Sequence, residues 1–157
     1  MTVIADVSKE LSQKQLDRFE KRIAHFEEMI AQADSFLELD GVLLEQVAKN
    51  HPGSQALFER MLQECKTIQD LIEIKVNQVK GIKWKALVDG SPRALAQKDI
   101  EMLISGDPEY VQIQELLLEI VHVRRQLEAI CKALDSLGWA ISNITKLRIA
   151  QLEKIVL

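Results

Sequence analysis

The sequence has few of the residues that make a small protein rich in turns or disulfides. Its 157 residues include two cysteines, three prolines and six glycines, and only 4% of them are aromatic. Two cysteines far apart in the chain exclude a disulfide framework, and the shortage of aromatic and turn-forming residues disfavours a sandwich of short strands. This composition predicts an all-α fold built from long helices.

Features typical of enzymes and membrane proteins are also missing. The chain has no phosphate-binding glycine loop, no dinucleotide fingerprint and no His-Glu-x-x-His helix, and its three histidines are scattered. It has no apolar run long enough to span a bilayer, and no N-terminal basic region followed by a long apolar run. We therefore expect a cytoplasmic protein without catalytic activity, cofactor, metal or membrane partner, in which Cys65 and Cys131 are reduced residues of apolar helix faces.

What the sequence does contain is apolar residues that recur at spacings of three and four. Such spacing lines one side of a helix and is typical of the seam between paired helices. The first seam comprises Leu16, Phe19, Ile23, Phe26, Ile30 and Ala33. The second comprises Phe58, Met61, Cys65, Ile68, Ile72, Val76 and Val79. The third comprises Ile113, Leu116, Ile120, Val123, Leu127, Ile130, Leu134 and Leu137, and continues to Ile141 and Ile144.

The seams predict how the helices pair. Two apolar residues in seven form a narrow stripe for a globular core, so we expect long helical hairpins with coiled-coil-like seams that assemble into a homo-oligomer. The alternative is a compact monomeric bundle that satisfies the same seams within one chain. In the oligomer, the C-terminal helix supplies the predicted oligomerisation residues: Leu127, Ile130, Leu134, Leu137, Trp139, Ile141 and Ile144.

Capping and turn-forming residues predict where the N-terminal helices begin and end. Ser12 is expected to cap the first helix, and Asp40-Gly41 to bend or end it. The run His51-Pro52-Gly53-Ser54 is expected to break the chain. The predicted organisation is an N-terminal helical region, 1–50, and a helical core, 51–157, which together form one structural domain.

Further breaks divide the predicted core. The second seam is expected to end near Gly81, and a short helix to cover about residues 92–104. Asp107 is a good N-cap residue, and Pro108 suits the first position of the last helix. Between the second seam and the short helix, the sequence predicts a loop or a helix end.

Residues 79–98, with the sequence VKGIKWKALVDGSPRALAQK, form a basic segment in an acidic chain. The chain carries a net charge of −4, whereas this segment has five cations and one aspartate. Single-stranded nucleic acid is bound by cations that follow the phosphates and by aromatic rings on which bases stack. The candidate DNA-binding residues of this predicted basic loop are Lys80, Lys83, Trp84, Lys85, Arg93 and Lys98. The alternative is that Trp84 packs into the core beneath a positively charged surface turn.

Several elements of the second half of the chain follow one another in the order and spacing of a known family. They are Trp84-Lys85-Ala86-Leu87, then Gly90 and Arg93, then KDIEMLISGDPEY at 98–110, and then LEAICKALDSLGWAISNI at 127–144. Over about half of its length, the chain thereby resembles the UvsY-like recombination mediators of T-even phages and their relatives.

The resemblance implies a function. Proteins of that family are cytoplasmic, helical, ring-forming and not enzymes. They bind single-stranded DNA and help a RecA-like recombinase to displace the single-strand DNA-binding protein. The resemblance places DNA binding at Lys83, Lys85 and Arg93, with Trp84 nearby, and oligomerisation in the region 134–155. A phage-encoded member would act in the cytoplasm of its bacterial host.

Two functional hypotheses therefore arise from the sequence. The first is a homo-oligomeric recombination mediator that binds single-stranded DNA, a RecA-like recombinase and the single-strand DNA-binding protein. The second is a coiled-coil assembly or adaptor protein with no nucleic-acid role, in which the basic segment is only a solvated connection. The net charge of −4 favours the second hypothesis, although an oligomer can collect the basic segments of its subunits on one face.

Overall fold

The predicted all-α class is confirmed by a computed structural model, which describes residues 2–38 and 41–155, with side chains for 13–38 and 41–151. Of the described residues, 91% are helical, and α3 and α5 pack antiparallel as a hairpin. The helices are α1 (Thr2–Ala31), α2 (Ala33–Leu37), α3 (Leu44–Gly90), α4 (Gln97–Ser105) and α5 (Pro108–Ile155). Within the described ranges, no helix combines the length and the apolar character that crossing a membrane requires.

The three seams supply the core. Because residues three and four apart lie on one side of a helix, each seam presents a continuous apolar stripe. Ile30, Val79 and Ile144 are half-buried, and every other seam residue is buried. The chain divides into two compact units: unit 1 comprises Met1–Ile23 and Cys65–Val123, and unit 2 comprises Ala24–Glu64 and Arg124–Leu157.

In unit 1, the core draws on α1, α3, α4 and α5. The short helix α4 contributes Ile100 and Ile104, which are buried together with the seam residues of the longer helices. Cys65 is buried and is not part of a disulfide, and its Sγ lies 3.7 Å from the carbonyl oxygen of Ile120 on α5. The prediction that Cys65 is a reduced core residue agrees with this position.

In unit 2, aromatic packing and one histidine join the helices. The ring of Phe36 on α2 meets that of fully buried Phe58 edge-on, with 5.5 Å between centroids. Nε2 of His51 lies 2.7 Å from the carbonyl oxygen of Leu134. A carbonyl only accepts, so the imidazole carries a proton on Nε2 and donates it across the hairpin. A Cβ added at Gly138 would lie 3.0 Å from Cε1 of His51, so glycine makes room for the ring.

The predicted break at His51-Pro52-Gly53-Ser54 is wrong, because α3 continues through Pro52. A proline inside a helix removes one backbone hydrogen bond and costs about 3 kcal/mol or more. Contacts with α5 on both sides of the proline offset that cost: His51 binds the Leu134 carbonyl, and Nε2 of Gln55 donates to Oδ1 of Asp135 at 2.7 Å. Tertiary packing therefore overrides the local signal.

Other helix limits also differ from the sequence prediction. Helix α1 begins at Thr2 rather than at Ser12, and α4 begins at Gln97 rather than near residue 92. The first helix was predicted to bend or end at Asp40-Gly41, but α1 ends at Ala31 and the short α2 ends at Leu37. Asp40 itself lies outside the described residues. The predicted limit at residue 50 falls inside α3.

Candidate nucleic-acid interface

The first part of the basic segment is helical, which corrects the prediction of a loop. Helix α3 does not end near Gly81 but continues to Gly90, so Lys80, Lys83, Trp84 and Lys85 all lie on it. The apolar seam explains the extension, because its spacing continues one turn beyond Val79 to a half-buried side chain at position 83. Only the later part of the segment, residues 91–96, connects α3 to α4.

A helix sends consecutive side chains in different directions. With 3.6 residues per turn, Lys83, Trp84 and Lys85 point about 100° apart and cannot converge on one ligand group. Trp84 instead shares a face with Lys80, four residues earlier, whereas Lys85 lies on another side of α3. Trp84 is half-buried. It is therefore neither fully packed into the core nor fully exposed for stacking.

Lys83 is held by two carboxylates at the start of α5. Its Nζ lies 3.0 Å from Oδ2 of Asp107 and 2.9 Å from Oε2 of Glu109. The exposed fractions of the three side chains are 29% for Lys83, 23% for Asp107 and 56% for Glu109. We call this group of three residues the Lys83 clasp. Its two carboxylates neutralise Lys83, one of the cations that the sequence assigned to DNA.

Asp107 serves two purposes in the clasp. Its Oδ1 accepts the backbone N–H groups of Glu109 at 3.0 Å and of Tyr110 at 3.2 Å, which confirms the predicted N-cap of α5. The hydrogen bond from Lys83, followed by the backbone donors, lowers the pKa of Asp107 below its ordinary value of 3.8. The hydrogen bonds to Glu109 and Asp107 raise the pKa of Lys83 above 10.5. Both ends of the clasp therefore stay charged at neutral pH.

The sequence contains the signal that places Lys83 in this contact. Position 83 follows Val76 and Val79 by seven and four residues, so it continues the seam that faces α5. The end of α3 meets the start of α5 in an antiparallel hairpin, where Asp107 was already predicted as a cap. A cation in the seam opposite that cap predicts an ion pair between the helices.

Four cations of the basic segment remain accessible. The side chains of Lys80, Lys85, Arg93 and Lys98 are exposed, and none of them forms an ion pair with any residue in the described part of the chain. They occupy the end of α3, the connection that follows it, and the first turn of α4. These four residues with Trp84, which we call the open basic set, are the ones available to a phosphate-bearing ligand.

Most of the predicted oligomerisation residues lie in the core of the single chain. Leu127 and Leu134 have no exposed surface, and Ile130, Leu137 and Ile141 are buried as well. Ile144 is half-buried, while Trp139 is 71% exposed. The single chain thus satisfies this seam internally, as the alternative of a compact bundle requires. Contact between subunits stays a prediction, and Trp139 is the predicted residue that is open to a partner.

Further functional groups are sparse in the described residues. Cys131 is half-buried and is not part of a disulfide, and it lies one position after the buried seam residue Ile130. Among the residues that were described, no three of the His, Cys, Asp and Glu side chains are arranged to hold a metal ion.

Known proteins provide no relative for this chain. It matches no family model, no curated protein sequence and no solved structure. The resemblance to recombination mediators therefore rests on the residues quoted above, and function is inferred from the site itself.

Proposed function

We propose that this chain is a binding protein without catalytic activity that holds single-stranded nucleic acid on its open basic set. One observation carries the proposal: four cations of an acidic chain are exposed within 19 consecutive residues, and none is neutralised by an ion pair within the described residues. Such cations gain from counterion release when they meet phosphates.

The position of Trp84 supports a single strand over a duplex. Bases of a single strand are free to stack on an aromatic ring, and such stacking contributes about 1 to 3 kcal/mol for each base. Trp84 is half-buried, and its spacing of four residues from Lys80 puts both on the same face of α3. A phosphate on Lys80 and the adjacent base on Trp84 fit this arrangement.

The finer form of the proposal follows from the resemblance. In that form, the protein is a cytoplasmic, homo-oligomeric recombination mediator that loads a RecA-like recombinase in place of the single-strand DNA-binding protein. An oligomer multiplies weak contacts, because each additional open basic set binds the same strand at a high effective concentration. Lys83, which the resemblance includes among the DNA ligands, is engaged in the clasp and is left out of the proposed set.

A second candidate function is that of a helical adaptor without a nucleic-acid role. One observation favours it: α3 carries exposed apolar side chains on the sides that do not face the seam, namely Leu71, Ile74, Ile82 and Val88. Exposed apolar residues along a helix suit contact with a protein. The adaptor function requires no affinity for nucleic acid.

Fluorescence anisotropy with single-stranded and duplex oligonucleotides, at several salt concentrations, separates the two candidates. We expect stronger binding of the single strand, which weakens as salt rises. The variant Lys80→Ala/Lys85→Ala should reduce the salt slope by about 1.4 for each engaged subunit, because each lost contact with a single strand accounts for about 0.7.

The matched control is Lys49→Ala/Lys132→Ala, which removes the same charge from exposed positions of α3 and α5 outside the basic segment and outside the predicted oligomerisation region. This control should change the slope little. Equal slopes for both double variants, at matched helicity, would assign the function to the adaptor.

A further inference from the structure

We propose that Lys83 is a latent anion-binding site. The carboxylates of Asp107 and Glu109 bind its ammonium group in the way that the phosphates of a ligand would, and thereby close the site. The inference rests on the proposed function, since it concerns which cations of the basic segment reach nucleic acid. It assigns to the two carboxylates the role of internal competitors of a phosphodiester.

The geometry supports competition rather than burial. The Lys83 side chain keeps 29% of its surface exposed, so its ammonium group is reachable from solvent. Two carboxylate oxygens, at 3.0 and 2.9 Å, take the positions in which phosphate oxygens would accept its protons. A carboxylate and a phosphate present the same kind of anionic acceptor to a lysine.

The construction of the clasp explains why the internal anions prevail. Asp107 is fixed through Oδ1 by the N–H groups of Glu109 and Tyr110, so its other oxygen stays beside Lys83. A ligand phosphate must lose freedom on binding, whereas this carboxylate is already in place. Lys83 therefore contributes no phosphate contact in the native protein, and the affinity for a strand stays correspondingly lower.

The variant Asp107→Asn/Glu109→Gln opens the site while preserving the fold. Asparagine is as good an N-cap as aspartate, so the start of α5 is retained while the charge is lost. We expect tighter binding of a single-stranded oligonucleotide and a salt slope that rises by about 0.7 for each engaged subunit, the value of one new contact. Adding Lys83→Met to this variant should cancel the increase. In the native background, Lys83→Met should leave the slope unchanged.

The matched control is Glu115→Gln/Glu119→Gln, which removes two exposed carboxylates from α5 of the same unit. An equal rise of the slope in this control would overturn the inference, since net charge alone would then explain the gain. A lower slope for Lys83→Met in the native background would overturn it as well. Absence of binding by the unchanged protein would instead remove the proposed function, and the inference with it.

Discussion

Two contacts join α3 to α5, one in each unit, and they differ in their chemistry. In unit 1, the Lys83 clasp joins α3 to the start of α5 through charges that are partly exposed. In unit 2, His51 joins the same two helices through a hydrogen bond to a backbone carbonyl, and its ring lies against Gly138. The first contact depends on charge, and the second depends on shape.

The difference indicates which contact can be exchanged. Ion pairs in contact with water contribute little to stability and are screened by salt, so a charged ligand can compete for their members. A hydrogen bond to a carbonyl beside a close-packed glycine has no such competitor in solution. We therefore propose that the contact in unit 1 opens to a charged ligand once its own carboxylates are removed, and that the contact in unit 2 has a structural role.

The largest expected effect comes from the core of unit 2. Leu134 is fully buried, and its carbonyl accepts the hydrogen bond from His51. Leu134→Ala should lower the free energy of unfolding by about 2 to 5 kcal/mol through lost burial and the cavity left behind. Urea denaturation monitored by circular dichroism measures this loss. The exposed Leu147 is the control, and Leu147→Ala should stay within about 0.5 kcal/mol of the native protein.

A smaller effect tests the dependence on shape. In Gly138→Ala, the new methyl group would lie 3.0 Å from Cε1 of His51, so the ring must shift. Overpacking of this kind costs about 1 to 3 kcal/mol, against a gain of about 1 kcal/mol in helix propensity. We expect Gly138→Ala to lower the thermal stability of the native protein. In the His51→Ala background, where the ring is absent, the same change should raise the thermal stability.

The control for this test is Gly81→Ala, at a helical position where an added Cβ meets nothing within 4 Å. This variant should be more stable than the native protein. A Gly138→Ala protein as stable as the Gly81→Ala protein would show that the ring and the glycine are not coupled.

Salt should affect the two contacts differently. The variant Lys83→Met keeps an apolar stem but loses the ion pairs, so its melting temperature should fall slightly at low salt and match that of the native protein near 1 M salt. For His51→Ala, the loss should be the same at both salt concentrations, because the contact is a hydrogen bond to a backbone carbonyl and not an ion pair. A salt-independent loss in Lys83→Met would contradict an electrostatic role for Lys83.

The clasp also predicts a pH dependence. The pKa of Asp107 is lowered from 3.8, so its stabilising contribution is complete above that value and is lost as pH falls through the lower pKa of the folded state. The pKa of Lys83 is raised from 10.5, so its contribution is complete below that value and is lost as pH rises through the higher pKa. Thermal melts of the native protein and Asp107→Asn should therefore converge in acid. A difference in melting temperature between the two proteins that stays constant down to the lowest pH would argue against the clasp.

The sequence predicts the core more accurately than the ends of the helices. The seams follow from periodicity, which is repeated over many residues, and nearly all of their members are buried. The break at Pro52 was predicted from one local signal, and contacts with residues 80 and 83 positions away reverse it. Sequence alone does not show such contacts.

The candidate site was predicted in composition but not in arrangement. Assuming a loop, the sequence offered Lys83, Trp84 and Lys85 as neighbours, whereas helical geometry separates them. The partners of Lys83 lie more than 20 residues away on another helix, and only the seam register indicates them. The four accessible cations of the basic segment, Lys80, Lys85, Arg93 and Lys98, were all among the predicted residues.

We propose that the open basic set, and not Lys83, holds a single strand. The most direct measurement is the salt dependence of single-strand affinity for Lys85→Met and Lys83→Met, two variants that remove one charge each from the same helix. We predict that Lys85→Met reduces the slope by about 0.7 for each engaged subunit, while Lys83→Met leaves it equal to that of the native protein. A slope reduced by Lys83→Met and left intact by Lys85→Met would show that Lys83, and not the open basic set, contacts the strand.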